Sequence, residues 1–282
     1  MSEDAWGHRP WVIVGAGRVG QLVGLMGAQG RATTPLVWSR SPEGAARARA
    51  VLGAEVSSGP LSEVAQQLLR LGPCVVWCTV ADGAIAAVSE AIIESLAPGS
   101  VLLHTSGALS SEVLPRAPGV HRASVHPLLS VAHPEAALKA ASGCAWTLEG
   151  DDDALGFARA FLRSHGVTPR VIDARGKVLY HASAVTSAGL LVALLDAAFE
   201  MCARAGIEQP AHTLLPLAQS CLDNLQTSRA RQALTGPVAR GDDATVRRHM
   251  EALGELDDPE LAQIYAVLTR RSRAMMSRQE DT

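Results

Sequence analysis

The 282-residue chain is 48% hydrophobic and 19% charged, long enough for two domains that each bury a core and too apolar for disorder. A formal net charge of −3 leaves no general basic field, which excludes nucleic acid and anionic membrane surfaces as expected partners. The stretch Met1 to Pro10 is polar, with Glu3 and Asp4, and unlike a signal or transit peptide; the best apolar run, 188–198, is short and holds Asp196, so no membrane span is expected.

Trp11 to Val14 is a short apolar strand that runs straight into Gly15-Ala16-Gly17-Arg18-Val19-Gly20, and Arg18 to Gly30 reads as a helix. Strand, G-x-G-x-x-G and helix in this order form a dinucleotide cradle. Gly15 permits the tight turn, Gly17 lets the backbone approach a pyrophosphate, and Gly20 lets helix and strand pack closely. The helix amino terminus then faces phosphate charge, with Ala16, Arg18 and Val19 completing the loop.

Pro35 to Trp38 is a second strand, ending at Ser39-Arg40 where an NAD site would carry an acid for the ribose hydroxyls. A hydroxyl followed by a guanidinium suits a 2′-phosphate instead, so Ser39 and Arg40 predict a preference for NADP(H) over NAD(H). Helices over 44–52 and 61–71, a short strand at 54–56 and an apolar strand Cys74 to Thr79 follow. Cys74 and Cys78 sit about 13 Å apart at about 3.3 Å per residue and cannot bridge. All five cysteines are expected to be reduced thiols of a cytoplasmic protein. Asp82 is expected to cap a helix to Leu96, ahead of strands Val101 to His104 and Val120 to Val125. Two more strands, Ala145 to Leu148 and Pro169 to Ile172, flank a helix that starts at Asp151 to Asp153. This alternation predicts a Rossmann-type, mostly parallel, doubly wound α/β sheet over residues 1–172.

Ligands of such sheets lie outside the carboxyl ends of the strands. Polar residues gather at those ends here: Thr79, Val80 and Asp82, then Thr105, Ser106 and Gly107, then His126 with Pro127. Thr79, Val80, Asp82 and Thr105 are expected beside the cofactor, and Ser106 and His126 beside the substrate. His121, His126 and His133 lack metal-ligand spacing, and no metal site is expected.

From residue 173 the chain reads as an all-α domain, 173–282. A long Ala- and Leu-rich helix runs over Lys177 to Arg204 with only Gly189 to weaken it, followed by helices Ala211 to Thr227, Asp243 to Leu256 and Pro259 to Ser277. Lys177 and His181 are one turn apart and share a face. An ammonium and an imidazole there could steady and protonate an oxygen as hydride arrives, so they are the expected catalytic pair. In the Gly/Pro turn Leu234-Thr235-Gly236-Pro237-Val238-Ala239-Arg240-Gly241-Asp242, Thr235 and Arg240 could hold an anionic substrate.

Val125-His126-Pro127-Leu128, Lys177-x-x-Tyr180-His181-Ala182 and the 234–242 turn together resemble a bacterial family that joins a Rossmann-like domain to a helical carboxy-terminal domain of undefined function. That family is similar in architecture to pyrroline-5-carboxylate reductases, deazaflavin-dependent NADP oxidoreductases, β-hydroxyacid dehydrogenases and ketopantoate reductases. The resemblance spans Val12 to about residue 270. It implies NAD(P)H-dependent reduction of a small anionic substrate, a substrate cleft between the domains, and a homodimer formed through the helices. Ketopantoate reductases and β-hydroxyacid dehydrogenases carry a lysine and, four residues later, an asparagine on the equivalent helix; here Lys177 matches and His181 replaces the asparagine. Gly189 stands where many family members have a further asparagine. The expected substrate is therefore a carboxylate-bearing ketone such as a ketopantoate-like 2-oxo acid, the alternatives being a cyclic imine or a silent NADP-binding sensor.

Overall fold

The computed structural model describes residues 9–29 and 35–277. The polar stretch Met1 to His8, with Glu3 and Asp4, and the helix end at Gly30 lie outside the described residues.

Among the described residues one eight-stranded sheet organises the first half. In chain order it comprises β1 (Trp11–Val14), α1 (Arg18–Ala28), β2 (Leu36–Ser39), α2 (Pro42–Leu52), β3 (Val56–Ser58), α3 (Leu61–Leu71), β4 (Val75–Cys78), α4 (Asp82–Ile93), β5 (Val101–His104), β6 (His121–Pro127), α5 (Pro134–Ala140), β7 (Trp146–Gly150), α6 (Asp152–Ser164) and β8 (Arg170–Val171). The strand order is β3-β2-β1-β4-β5-β6-β7-β8, parallel throughout except for β6 against β7. This is the mostly parallel, doubly wound sheet expected from the alternation of elements.

The central strands are apolar at every position because both faces are covered. Side chains alternate between the faces. Trp11, Ile13, Trp77 and Leu103 enter one core with α1 and α6, while Val12, Val14, Val76 and Leu102 enter the other with α3 and α4. The few aromatic residues are concentrated in the first core, where Trp11 meets Phe161 edge-on at 4.9 Å and Trp77 meets Phe161 at 5.7 Å.

Several local expectations are corrected. Asp82 does not cap α4: it is the first helical residue after Ala81, and its carboxylate is bonded elsewhere. Helix α5 escaped notice, being a Pro-initiated segment of about two turns. The long helix expected over 177–204 is two, α7 (Lys177–Ser187) and α8 (Gly189–Arg204), separated at Ala188 with φ −122 and ψ −80. The break falls beside Gly189, the weakest helix former in the stretch.

The chain divides into two compact units between Val185 and Thr186, later than the 172/173 boundary read from composition. Most of α7 stays with the sheet because its first residue, Lys177, is buried there. The helical stretch 174–204 contains an 18-residue window of mean hydropathy 1.8, long and apolar enough to cross a membrane by length and composition. Judging 188–198 alone understated it.

The second unit is helical, as expected. After α8 it contains α9 (Pro210–Thr227), the short α10 (Ala230–Ala233) and α11 (Pro237–Arg240), α12 (Asp243–Gly254) and α13 (Pro259–Ser277). Asp242 caps α12 by accepting from the Thr245 amide at 3.0 Å. The five cysteines are free thiols, and burial pushes Cys78 up to about 11.

Candidate functional site

The glycine loop is built as its spacing requires. Gly15 adopts φ +115, a conformation that side chains rarely take, and a Cβ there would come within 2.7 Å of the Thr79 backbone. A Cβ on Gly20 would collide with the Gly15 carbonyl and come within 2.6 Å of Thr79 Oγ1. Thr79 Oγ1 donates to that carbonyl at 2.6 Å, the Thr79 amide donates to Val14 O at 2.8 Å, and Gln21 Nε2 donates to Ala16 O at 2.9 Å. Gly17, by contrast, is exposed; it forms the N-cap of α1 without a side-chain bond, and a Cβ there would meet nothing within 4 Å. The loop is thus clamped from behind and open in front of the α1 amides, with Arg18 exposed on the first turn. That cradle fits a dinucleotide pyrophosphate.

At the end of β2, Arg40 is exposed, whereas Ser39 is buried against Gly44, leaving its hydroxyl less open than the sequence implied. Ser41, which sequence reasoning passed over, caps α2 by accepting from the Gly44 amide at 3.1 Å. Thr79 is buried and Val80 half-buried at the end of β4, both on the cradle side of the sheet.

The loop after β5 converges on Ser106. Its Oγ donates to Asp82 Oδ2 at 2.8 Å and accepts from the Ala108 and Leu109 amides; its own amide donates to His104 Nδ1 at 3.1 Å. Because an amide can only donate, His104 Nδ1 accepts, and the neutral ring carries its proton on Nε2, facing Ser110 O at 3.1 Å. The Ser106 carbonyl accepts from Ser124 Oγ and from Lys177 Nζ, each at 3.1 Å. Thr105 sits half-buried beside this hub. Glu149, buried on β7, accepts from the Ser111 amide at 2.6 Å and from Ser111 Oγ at 2.7 Å, tying the far end of the same loop to the sheet.

Lys177 is the largest departure from expectation. Far from being presented to a ligand, it is 1% exposed and donates to Ser124 Oγ at 2.6 Å as well as to Ser106 O. Burial pulls its ammonium down to about 8, against the opposing pull of Glu149 and Asp82. Its charge acts on His126 and His104, each pulled down to about 4, first by burial and then by Lys177.

His126, at the end of β6, is half-buried, with Nδ1 3.3 Å from the Tyr180 hydroxyl and the two rings perpendicular at 5.8 Å. The His181 ring also meets His126 edge-on, at 5.8 Å, and its Nδ1 is buried without a hydrogen-bond partner. Both imidazoles close on Gly107: a Cβ there would clash with His181 Nδ1 and come within 2.8 Å of His126 Nε2.

The first unit thus assembles Asp82, Ser106, His126, Lys177 and His181 from four segments. His104, Ser124, Glu149 and Tyr180 were missed. Tyr180 was findable, three residues after Lys177 on one helical face; the other three look like ordinary strand residues. Thr235 and Arg240 belong to the second unit. Thr235 lines a cavity of about 320 Å³ between α8, α11 and α13 with Met201, Val238 and Tyr265, and Arg240 is exposed at the end of α11.

Residues 144–272 match the model of a domain of unknown function, DUF2520. No curated protein matches the chain in sequence. Among solved structures, the chain is similar to protein TM1727 from Thermotoga maritima, with 25% identity and a TM-score of 0.73 over 94% of this chain and 98% of that one. It is similar to a provisionally named NADP oxidoreductase from Bacteroides fragilis, with 19% identity and a TM-score of 0.72 over 94% and 98% of the two chains. The pyrroline carboxylate reductase of Plasmodium falciparum, solved with NADP bound, aligns with 12% identity and a TM-score of 0.58 over 96% and 100%. At these identities the likeness carries the fold: a Rossmann-like sheet followed by a helical region.

Proposed function

We propose that this chain is an NAD(P)-dependent oxidoreductase that prefers NADP(H) and reduces a small carboxylate-bearing ketone of the ketopantoate-like 2-oxo acid class. The observation that carries this is the open glycine cradle, on the same carboxyl edge of the sheet as the cluster of Ser106, Gly107, His126, Tyr180 and His181. The preference for NADP(H) is supported by exposed Arg40 and the absence of a carboxylate at Ser39-Arg40-Ser41. The nicotinamide group, when bound, supplies the hydride. The Gly17 turn holds the diphosphate and Arg40 the 2′-phosphate. The Ser106 hub fixes Gly107 and the two imidazoles beside it. Thr235 and Arg240 are proposed as anion-holding residues of the second unit.

Consumption of NADPH against a panel of 2-oxo acids, β-keto acids and cyclic imines tests this at the nicotinamide absorbance. Oxidation with 2-oxo acids is expected. Binding of NADPH without turnover on any panel member would leave a sensor in its place.

The same proposal includes a cytoplasmic homodimer. The second unit buries few apolar side chains, Ala197, Val246, Leu253 and Leu261, while Leu190, Val192 and Leu217 are 56%, 67% and 64% exposed. So small a core leaves apolar side chains of these helices uncovered, and in the proposed dimer a second copy covers them.

A further inference from the structure

Hydride arriving at a carbonyl carbon leaves an electron pair on oxygen that must take a proton. Resting on the reductase proposal above, we propose that the Tyr180 hydroxyl delivers this proton and that His126 replaces it from solvent.

Four groups of the cluster could serve. Lys177 carries protons, but its ammonium is held by Ser106 O and Ser124 Oγ in a side chain that is 1% exposed. Reaching a substrate would break both bonds and move the Ser106 loop. Lys177 is therefore a positioning residue. The His181 Nδ1 is buried against Gly107, facing no solvent and no partner. His126 is half-buried, yet with its imidazolium pulled down to about 4, roughly one molecule in a thousand is charged at neutral pH. It serves there as a neutral ring, able to pass a proton and poorly able to store an extra one. Tyr180 remains. It is half-buried on α7, and its oxygen lies 3.3 Å from His126 Nδ1.

The step balances as follows. The substrate carbon gains a hydride from NADPH, and its carbon–oxygen π pair becomes a lone pair on oxygen. That oxygen takes the Tyr180 proton as the phenolic O–H bond breaks. The tyrosinate takes the Nδ1 proton of His126, while His126 Nε2 accepts one from water. The sum is one ketone, one NADPH and one proton giving an alcohol and NADP. Gly107 has a role in this scheme, because a side chain there would press on His126 Nε2, the atom that must meet water.

The test is steady-state and solvent-isotope kinetics of the full chain with its best substrate from the panel, comparing parent, Tyr180→Phe and His126→Ala. For Tyr180→Phe, kcat is expected to fall by about 10²- to 10⁴-fold, with NADPH affinity, read by nucleotide fluorescence, unchanged. For His126→Ala, kcat is expected to fall and to be restored in part by added imidazole, which a merely structural histidine would not allow. Turnover of Tyr180→Phe at the parent rate overturns the tyrosine assignment alone, and lack of imidazole rescue overturns the relay. A parent that binds NADPH and oxidises it with no panel member overturns the reductase proposal together with this one.

Discussion

Lys177 Nζ donates to Ser124 Oγ at 2.6 Å across the joint between α7 and β6, from a side chain with 1% of its surface exposed. One bond ties the helix to the sheet strand and places a positive charge beneath two histidines. Removing charge from such a position has consequences whose sign can be worked out.

Lys177 has a folded pKa of about 8 against an ordinary 10.5. Between these values the unfolded chain binds more protons than the folded one, so stability rises with pH across this window. The penalty for the buried charge is fully present below about 8 and relieved above 10.5, with an upper bound of about 3 kcal/mol. Lys177→Met should lack this rise. Ser106 O keeps its bond from Ser124 Oγ, so the variant leaves no orphaned carbonyl. Urea melts of both proteins between pH 7 and 10.5 test this; parallel curves would show that the ammonium is not buried.

The same substitution should change the histidines. The Lys177 charge helps hold His126 and His104 near 4, second only to burial in each case. In Lys177→Met both should titrate closer to the ordinary 6.5, followed by the imidazole proton resonances. Unmoved histidine titrations would contradict the electrostatic coupling.

The proposed cofactor choice rests on Arg40. NADP(H) should bind more tightly than NAD(H), and Arg40→Ala should cost the phosphorylated form roughly 1.5–3 kcal/mol, about ten- to a hundredfold in Kd. NAD(H) affinity should be nearly untouched. Equal affinities of the parent for both dinucleotides would sink the idea.

Gly107→Ala places a methyl group against His181 Nδ1 and within 2.8 Å of His126 Nε2. Overpacking of this kind costs about 1–3 kcal/mol. Turnover should fall sharply, while NADPH binding at the glycine cradle persists. A fully active Gly107→Ala would mean that the two rings can part without consequence.

Assembly can be read directly. Light scattering at micromolar concentration should give twice the 29.5 kDa chain mass. Val192→Glu with Leu217→Glu, both on exposed positions, should yield monomers or insoluble protein. A parent that stays monomeric would rule out the dimer.

Periodicity and glycine spacing by themselves determined the sheet. Four-residue apolar runs such as Trp11–Val14 and Val75–Cys78 can only be strands covered on both faces, and G-x-G-x-x-G between a strand and a helix leaves one arrangement for its turn. Position along the chain also marked Ser106 and His126 as residues near the carboxyl edge. Direction and burial of side chains were another matter. Asp82 read as a cap because acids favour helix starts, yet its carboxylate bonds Ser106, twenty-four residues away. Lys177 read as a presented cation because lysines are seldom buried, and only its bonds to Ser106 O and Ser124 Oγ in the folded chain turned it inward. The late division between the units goes with the same anchoring. Local pattern dictates which backbone shape a segment takes, because that choice is made among near neighbours. Which way a polar side chain faces depends on partners that come near only when distant strands align, and that information exists only in the folded molecule.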